Sequence, residues 1–161
     1  MSAALRTLLI LAALPLTANA QFARTERRIL PEARVDVAIR DGMSVSHAGG
    51  GFHVNSGTYL RLALLAGYGV AQTPDASSPS FCAELQGRFH LDPQRASRLG
   101  LYGIGGLVAT HDDFARWQTR MVAGAGVELP AHGRATLALE AALAGGFRIT
   151  IVARRLPLGR R

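Results

Sequence analysis

Apolar and polar residues alternate one by one over several strand-length stretches of this chain. The segment from Phe81 to Leu91 is the clearest: its odd positions are apolar or Gly, and its even positions are Cys, Glu, Gln, Arg and His. Side chains of a β-strand point alternately to opposite faces, so this segment has one apolar face and one polar, mostly charged face. The alternation predicts a strand that separates two different environments.

The same two-residue period recurs often enough to predict eight strands, separated by turn signals such as Asp41-Gly42 and the Pro-rich stretch Gln72–Ser80. Residues 134–144 are rich in Leu, Ala and Glu, which also favour a helix, but their leucines and charges recur at even spacing. A helix remains the alternative there. The predicted strands are 35–40, 43–54, 58–71, 80–91, 99–110, 117–129, 134–144 and 147–154.

Two all-β arrangements fit this pattern, and they place opposite faces inside. A soluble barrel or sandwich buries its apolar face, whereas a membrane barrel turns it toward lipid. The better segments run about 10 to 13 residues, enough for the roughly 9 to 11 that a tilted spanning strand needs and more than the roughly 5 to 6 usual in soluble proteins. We therefore expect an all-β fold, an eight-stranded antiparallel up-and-down β-barrel of transmembrane type. The alternative is a soluble periplasmic β-barrel or sandwich that binds a small apolar or anionic ligand.

Apolar faces that point outward leave charged side chains inside the barrel. Eight strands enclose a space just wide enough to be filled by side chains, so we expect a structural network of paired charges and no solute channel. An anionic ligand held by the excess Arg is the alternative. Arg154 and His90 share the inward face. The predicted network consists of Asp36, Arg40, Arg61, Glu84, Arg88, Arg120, Glu128, Arg134, Glu140 and Arg148.

The first twenty residues have the three parts of a secretory signal peptide. Arg6 supplies a positive charge, residues 7–18 are almost wholly apolar, and Ala18-Asn19-Ala20 places small residues at the cleavage site. We predict a cleaved signal peptide at 1–20, a flexible N-terminal arm at 21–32, the β-barrel at 33–155 and a C-terminal tail at 156–161. The protein is then exported, to the outer membrane or, in the alternative, to the periplasm.

Composition and motifs further restrict the possible classes of function. The 18 basic residues are all Arg, against 11 acidic residues, and they are spread along the chain, which argues against a nucleic-acid partner. The lone Cys82 has no partner for an internal disulfide and is expected to be buried. No hydrolase, zinc-protease or phosphate-loop motif occurs, and His111-Asp112-Asp113 fits a solvated loop better than a metal site. We predict no enzyme activity, no cofactor, and no catalytic or metal-binding residues.

Signal peptide, strand rhythm, Gly-rich strands and length together make residues 33–155 resemble the small eight-stranded outer-membrane β-barrel proteins of Gram-negative-type bacteria. That resemblance implies a non-enzymatic structural, adhesive or surface-interaction role. Its implied partners are outer-membrane lipid, the outer-membrane assembly machinery and an extracellular partner that is unknown. This chain ends in Arg161 where such barrels commonly end in an aromatic residue. Candidates for the interfacial aromatic girdles are Tyr59, Tyr68, Phe81, Phe89, Tyr102, Trp117 and Phe147.

Overall fold

A computed structural model describes residues 29–40, 42–92, 99–130 and 135–155. Each strand pairs antiparallel with its neighbours in sequence, and β1 pairs with β8, so the sheet closes into an eight-stranded up-and-down barrel. The predicted all-β barrel fold is therefore confirmed. No helix among these residues is long and apolar enough to cross a membrane. The strands are β1 (Ile29–Arg40), β2 (Met43–Ser56), β3 (Leu60–Gln72), β4 (Ser77–His90), β5 (Gly100–Asp112), β6 (Arg116–Glu128), β7 (Ala135–Leu143) and β8 (Phe147–Arg155).

The structure corrects the start of β1 and decides between the strand and the helix alternative for residues 134–144. β1 begins at Ile29, so residues 29–32 of the predicted flexible arm are strand, paired with residues 51–54 of β2. Residues 135–143 form β7, paired with both β6 and β8, so the helix alternative is wrong. In both cases a neighbouring strand supplies backbone partners that local sequence cannot reveal. The predicted signal peptide, residues 21–28 of the arm and the tail at 156–161 lie outside the described residues.

The connections at the two ends of the barrel differ in length. At one end, which we call the tip end, they are residues 41–42, 73–76, 113–115 and 144–146; at the other, the base end, they are 57–59, 91–99 and 129–134. The predicted loop Gln72–Ser80 is shorter than expected because Ser77 to Pro79 pair with Val70 to Gln72. The tip end therefore carries only tight turns among the described residues.

The strand register tilts the strands strongly relative to the barrel axis. One circuit of paired residues runs around the barrel from β6 back to β6: Arg116, Asp112, Ser80, Gly69, His47, Asp36, Thr150, Glu140, Gly126. It ends ten residues from where it began. Because a stagger of this kind sets both the tilt and the width of a closed barrel, the register also fixes how much space the lumen offers.

The two faces of the wall differ sharply in chemistry. Large apolar side chains are exposed on the outside of all eight strands, for example Leu85 (56%) and Met121 (78%). At the exposed strand positions of the described residues, only Arg116 and Arg155 are charged, and each lies at a strand end. Charged side chains elsewhere on the strands point inward, where Arg88 has no exposed surface. The barrel therefore has an apolar exterior and a charged interior, the reverse of a soluble barrel.

Two adjacent glycines of β5 show how tightly the wall is built. Gly106 lies on the inward face, and a Cβ there would collide with the backbone carbonyl of Leu85 on β4. Gly105 lies on the outward face, and a Cβ there would meet no atom within 4 Å. The close approach of β5 to β4 at Gly106 therefore depends on the absence of a side chain.

We predict that Gly106→Ala destabilises the folded barrel, because the wall must shift to admit the methyl group. The expected loss is about 1–3 kcal/mol in the free energy of unfolding, measured by urea unfolding in detergent micelles. The matched control Gly105→Ala should change this free energy by less than about 0.5 kcal/mol. Equal urea midpoints for the two variants would contradict the prediction.

Candidate functional site: a charge-filled lumen

Charged side chains from six strands and from the end of β5 converge in the barrel interior. Seven arginines and six carboxylates face it among the described residues, an excess of one positive charge. An interior of this size has little room for water, so these charges must be satisfied by one another. The set comprises Arg34, Arg40, Arg61, Arg88, Arg120, Arg148 and Arg154 with Glu32, Asp36, Glu84, Asp112, Glu128 and Glu140.

The base half of the lumen is built around Glu32 and Glu140. Arg88 donates two hydrogen bonds to Glu32, at 2.8 and 2.9 Å, in the bidentate geometry that suits a guanidinium and a carboxylate. Arg154 donates to Glu140 at 2.6 Å and to the Tyr102 hydroxyl at 2.9 Å, and that hydroxyl donates to Glu140 at 2.8 Å. Side chains from β1, β4, β5, β7 and β8 are thereby joined across the lumen.

Further pairs connect this cluster to the base-end opening. Arg154 also donates to Glu128 at 2.7 Å, and Arg61 donates to the same carboxylate at 3.0 Å. His53 Nδ1 lies 3.1 Å from Glu32. Arg61 and Glu128 retain partial exposure, 12% and 17% of their side chains. The network is therefore driest at its centre and meets solvent at the base.

Glu84 is the centre of the tip half of the lumen. Arg148 donates two hydrogen bonds to it, at 2.8 and 2.9 Å, and Arg34 donates a third at 2.5 Å. The Arg34 Nε lies 3.3 Å from Asp36, and its Nη2 lies 3.5 Å from the Cys82 thiol. Glu84 is 1% exposed, so its charge is balanced entirely by protein groups.

A Ser-His-Asp chain crosses the same half of the lumen. His47 Nε2 lies 3.0 Å from Ser80 Oγ, and His47 Nδ1 lies 3.3 Å from Asp36 Oδ1. Gly69 stands between His47 and Ser80 in the register and has no side chain to separate them. This is the order of groups that activates a serine nucleophile. Here Ser80 has no exposed surface, so these contacts form a structural link between β2 and β4 across β3.

The space beside this link is very small. A cavity of about 20 Å³, lined by Arg34, His47, Cys82 and Arg148 among others, lies in the tip half of the lumen. That volume holds about one water molecule. A substrate the size of an ester or a sugar does not fit beside Ser80.

Nine of the ten residues of the predicted network lie on the inward face, and the tenth, Arg134, lies outside the described residues. Sequence reasoning missed Glu32 and Arg34 because it placed the arm up to residue 32 and began the first strand at residue 35. Continuing the two-residue period backward from Asp36 would have found both. Tyr102 was taken as a girdle residue, but it is 1% exposed and lies in the lumen. Asp112, His47 and His53 were not assigned to the network either.

The three side chains of the candidate metal-binding sequence His111-Asp112-Asp113 each contact a different partner. His111 packs against Trp117 with ring centroids 5.0 Å apart, Asp112 accepts a hydrogen bond from Arg40 at 3.1 Å, and Asp113 accepts one from Ser78 at 2.9 Å. Among the described residues, no group of three or more His, Cys, Asp or Glu side chains is arranged to hold a metal ion.

Comparisons with known proteins support the fold and nothing further. No protein-family model matches the chain, and no curated protein matches it. Among solved structures, the chain is similar to TMB2.3, a de novo designed transmembrane β-barrel determined by solution NMR, with a TM-score of 0.51 and 13% sequence identity. The match covers 84% of this chain and 99% of the designed one. The closed eight-stranded architecture is thus shared with a barrel of unrelated sequence.

We predict that Glu84→Gln destabilises the barrel severely, because it leaves the Arg34 and Arg148 charges buried without their shared partner. Removing one member of a buried ion pair typically costs about 3–5 kcal/mol, and urea unfolding in micelles should show this loss. The control Asp75→Asn, in an exposed turn, should change stability by less than about 0.5 kcal/mol. Adding Arg148→Met to Glu84→Gln should recover part of the loss; a further decrease would contradict the pairing.

Proposed function

We propose that this protein is a non-enzymatic β-barrel of the outer membrane, with a structural or surface-interaction role in the envelope of a Gram-negative-type cell. The observation that carries the proposal is the inverted chemistry of the wall, with apolar side chains outside and paired charges inside. In water, exposed Leu85, Met121 and their neighbours would form a continuous apolar surface far larger than soluble monomers present. A barrel that spans a bilayer needs an apolar surface of this kind to face the lipid.

Closure of the strand ladder supports the same location. Hydrocarbon offers no hydrogen bonds to the backbone, so a membrane-spanning sheet needs neighbours for every strand. Each strand here has two partners, including the β1–β8 pair. Strands of 9 to 14 residues suit a tilted passage across a bilayer of about 30 Å.

Aromatic residues mark the two edges of the apolar wall. Toward the tip end, four aromatic side chains form a row around the barrel. Each is paired in the register with the next, from β3 to β6: Tyr68, Phe81, His111 and Trp117. Within it, the Tyr68 and Phe81 centroids are 4.9 Å apart. Tyr59 lies at the base-end turn and stacks on Phe89, the last outward residue of β4, at 5.8 Å. Aromatic girdles at both interfaces are typical of membrane barrels.

A structural role is supported by what the interior holds. Among the described residues, the buried Ser80, the one-water cavity and the ion pairs that cross the lumen leave little space inside the lumen for a substrate or a solute path. Short tip-end turns offer little protruding surface for adhesion. Contacts with other envelope components would then be made by the lipid-facing wall and the rims. Outer-membrane lipid and the assembly machinery remain the proposed partners.

Cell fractionation tests the location. The protein produced in a Gram-negative host should sediment with the outer membrane and should migrate differently on an SDS gel before and after boiling, because a folded barrel resists SDS. Recovery of the mature protein in the soluble periplasmic fraction without detergent would refute the proposal.

A charged substitution on the outer wall tests whether lipid or water surrounds the barrel. Leu85→Arg places a charge near the middle of the proposed lipid-facing surface and should cost about 2–4 kcal/mol of folding stability in lipid vesicles. The control Leu99→Arg, at the base end, should cost about 0–1 kcal/mol, because the penalty falls near the interface. Both leucines are more than half exposed, so a barrel surrounded by water would tolerate both changes equally.

A further inference from the structure

The tip-end rim of the barrel is interrupted at the β7–β8 hairpin. β7 and β8 have 9 residues each, whereas β5 and β6 have 13. β6 pairs with β7 only from Ala123 onward, so Arg116–Val122 pairs with β5 alone. We call the resulting gap, bounded by residues 116–122 of β6 and by the hairpin turn 144–146, the rim notch.

Arg120 lies in the rim notch. A Cβ on Gly145, in the hairpin turn, would collide with Cδ and Nε of Arg120, so the guanidinium stem lies directly against that turn. Among the described residues, its side-chain hydrogen bond goes from Nη1 to Thr110 Oγ1 at 3.2 Å, and the same hydroxyl accepts a hydrogen bond from Arg40 at 3.3 Å. Arg120 is half-buried, so its charge is reachable from the notch.

The charge of Arg120 is balanced differently from that of the other lumen arginines. Each of the other six has a carboxylate oxygen at 3.1 Å or less. Among the described residues, none lies within 4 Å of Arg120. Two residues away on the same strand, Gln118 Oε1 is buried without a hydrogen-bond partner. The notch therefore presents a cation without a counter-charge beside an unsatisfied polar atom.

Apolar side chains flank this cation on the outer wall. Trp117 is 67% exposed and Met121 is 78% exposed, one on each side of Arg120 along the strand and on the opposite face. Phe147, 51% exposed, begins β8 on the far side of the hairpin turn. A ligand with an anionic head and an apolar tail would satisfy both features at once, because its head would meet Arg120 while its tail covers Trp117 and Met121.

We propose that the rim notch binds the phosphate headgroup of an anionic lipid. The headgroup accepts hydrogen bonds from Arg120, and a headgroup hydroxyl donates to Gln118 Oε1. The acyl chains lie along the outer wall of β6. This inference rests on the membrane location proposed above, and charge complementarity at Arg120 is the feature that selects an anionic over a zwitterionic lipid.

Trp117 provides the measurement, since it is the only tryptophan of the chain. The protein is inserted into vesicles of phosphatidylglycerol and phosphatidylcholine in which one lipid at a time carries bromine on its acyl chains. Bromine quenches only nearby tryptophan, so quenching reports the lipids in contact with Trp117. We expect phosphatidylglycerol to be enriched there about five- to tenfold relative to phosphatidylcholine, the gain typical of one net hydrogen bond.

Matched variants identify the group responsible. Arg120→Gln should reduce the enrichment to about one, whereas Arg120→Lys, which keeps the cation, should retain most of it. Arg155→Gln removes an equal charge from the base end of β8 and should leave the enrichment unchanged. Gel mobility of the unboiled samples verifies that each variant is folded.

The outcomes separate the two proposals. Quenching by neither brominated lipid would overturn the membrane location itself, whereas equal quenching by both would overturn only the lipid site. Enrichment that survives Arg120→Gln would also overturn the site. If excess inorganic phosphate abolishes the enrichment, the anion is soluble phosphate and the lipid assignment is wrong. Cross-linking of two copies through β6, in place of enrichment, would assign the notch to a protein partner and overturn it as well.

Discussion

Closure of the sheet between β1 and β8 is the constraint on which the rest of this structure depends. It gives every strand two neighbours, and it divides the side chains of each strand between an outside and an inside. The ten-residue stagger of the register then fixes the width of the interior. Because that width is about what side chains alone fill, inward charges are separated from bulk water and must find partners across the lumen. Glu84, held by Arg34 and Arg148 from two other strands, shows this consequence most directly.

The paired lumen and the apolar wall belong to one arrangement. Transferring so many charged groups out of water is costly, and the hydrogen-bonded pairs offset that cost without providing much net stability. What they supply is a filled interior that ties distant strands together, as Arg154 does by contacting three different acidic residues. The exterior can then be free of charged side chains between the strand ends because the charges have been placed inside. Paired charges inside and apolar side chains outside together support a membrane-embedded structural role over a solute channel or an enzyme.

Small inward residues make these long-range contacts possible. Gly69 leaves the space through which His47 reaches Ser80, and Gly126 leaves the space occupied by the Tyr102 ring, where a Cβ would collide with it. Gly145 likewise accommodates Arg120 at the rim notch. Glycines of the strands and turns are therefore the places where the lumen side chains are accommodated.

The sequence by itself determined the number of strands, their order and which face of each is apolar, because alternation with period two is a local property visible in residues such as Phe81–Leu91. The inward placement of nine of the ten predicted network residues followed for the same reason. Local pattern could not place the start of β1 at Ile29 or put Tyr102 inside, because both depend on neighbours distant in the chain. Only the tertiary structure decided which charges pair, that Arg120 is left without a carboxylate among the described residues, and that the rim is open beside it. Those features follow from strand register and closure, which bring together residues as distant in the chain as Glu32 and Arg154.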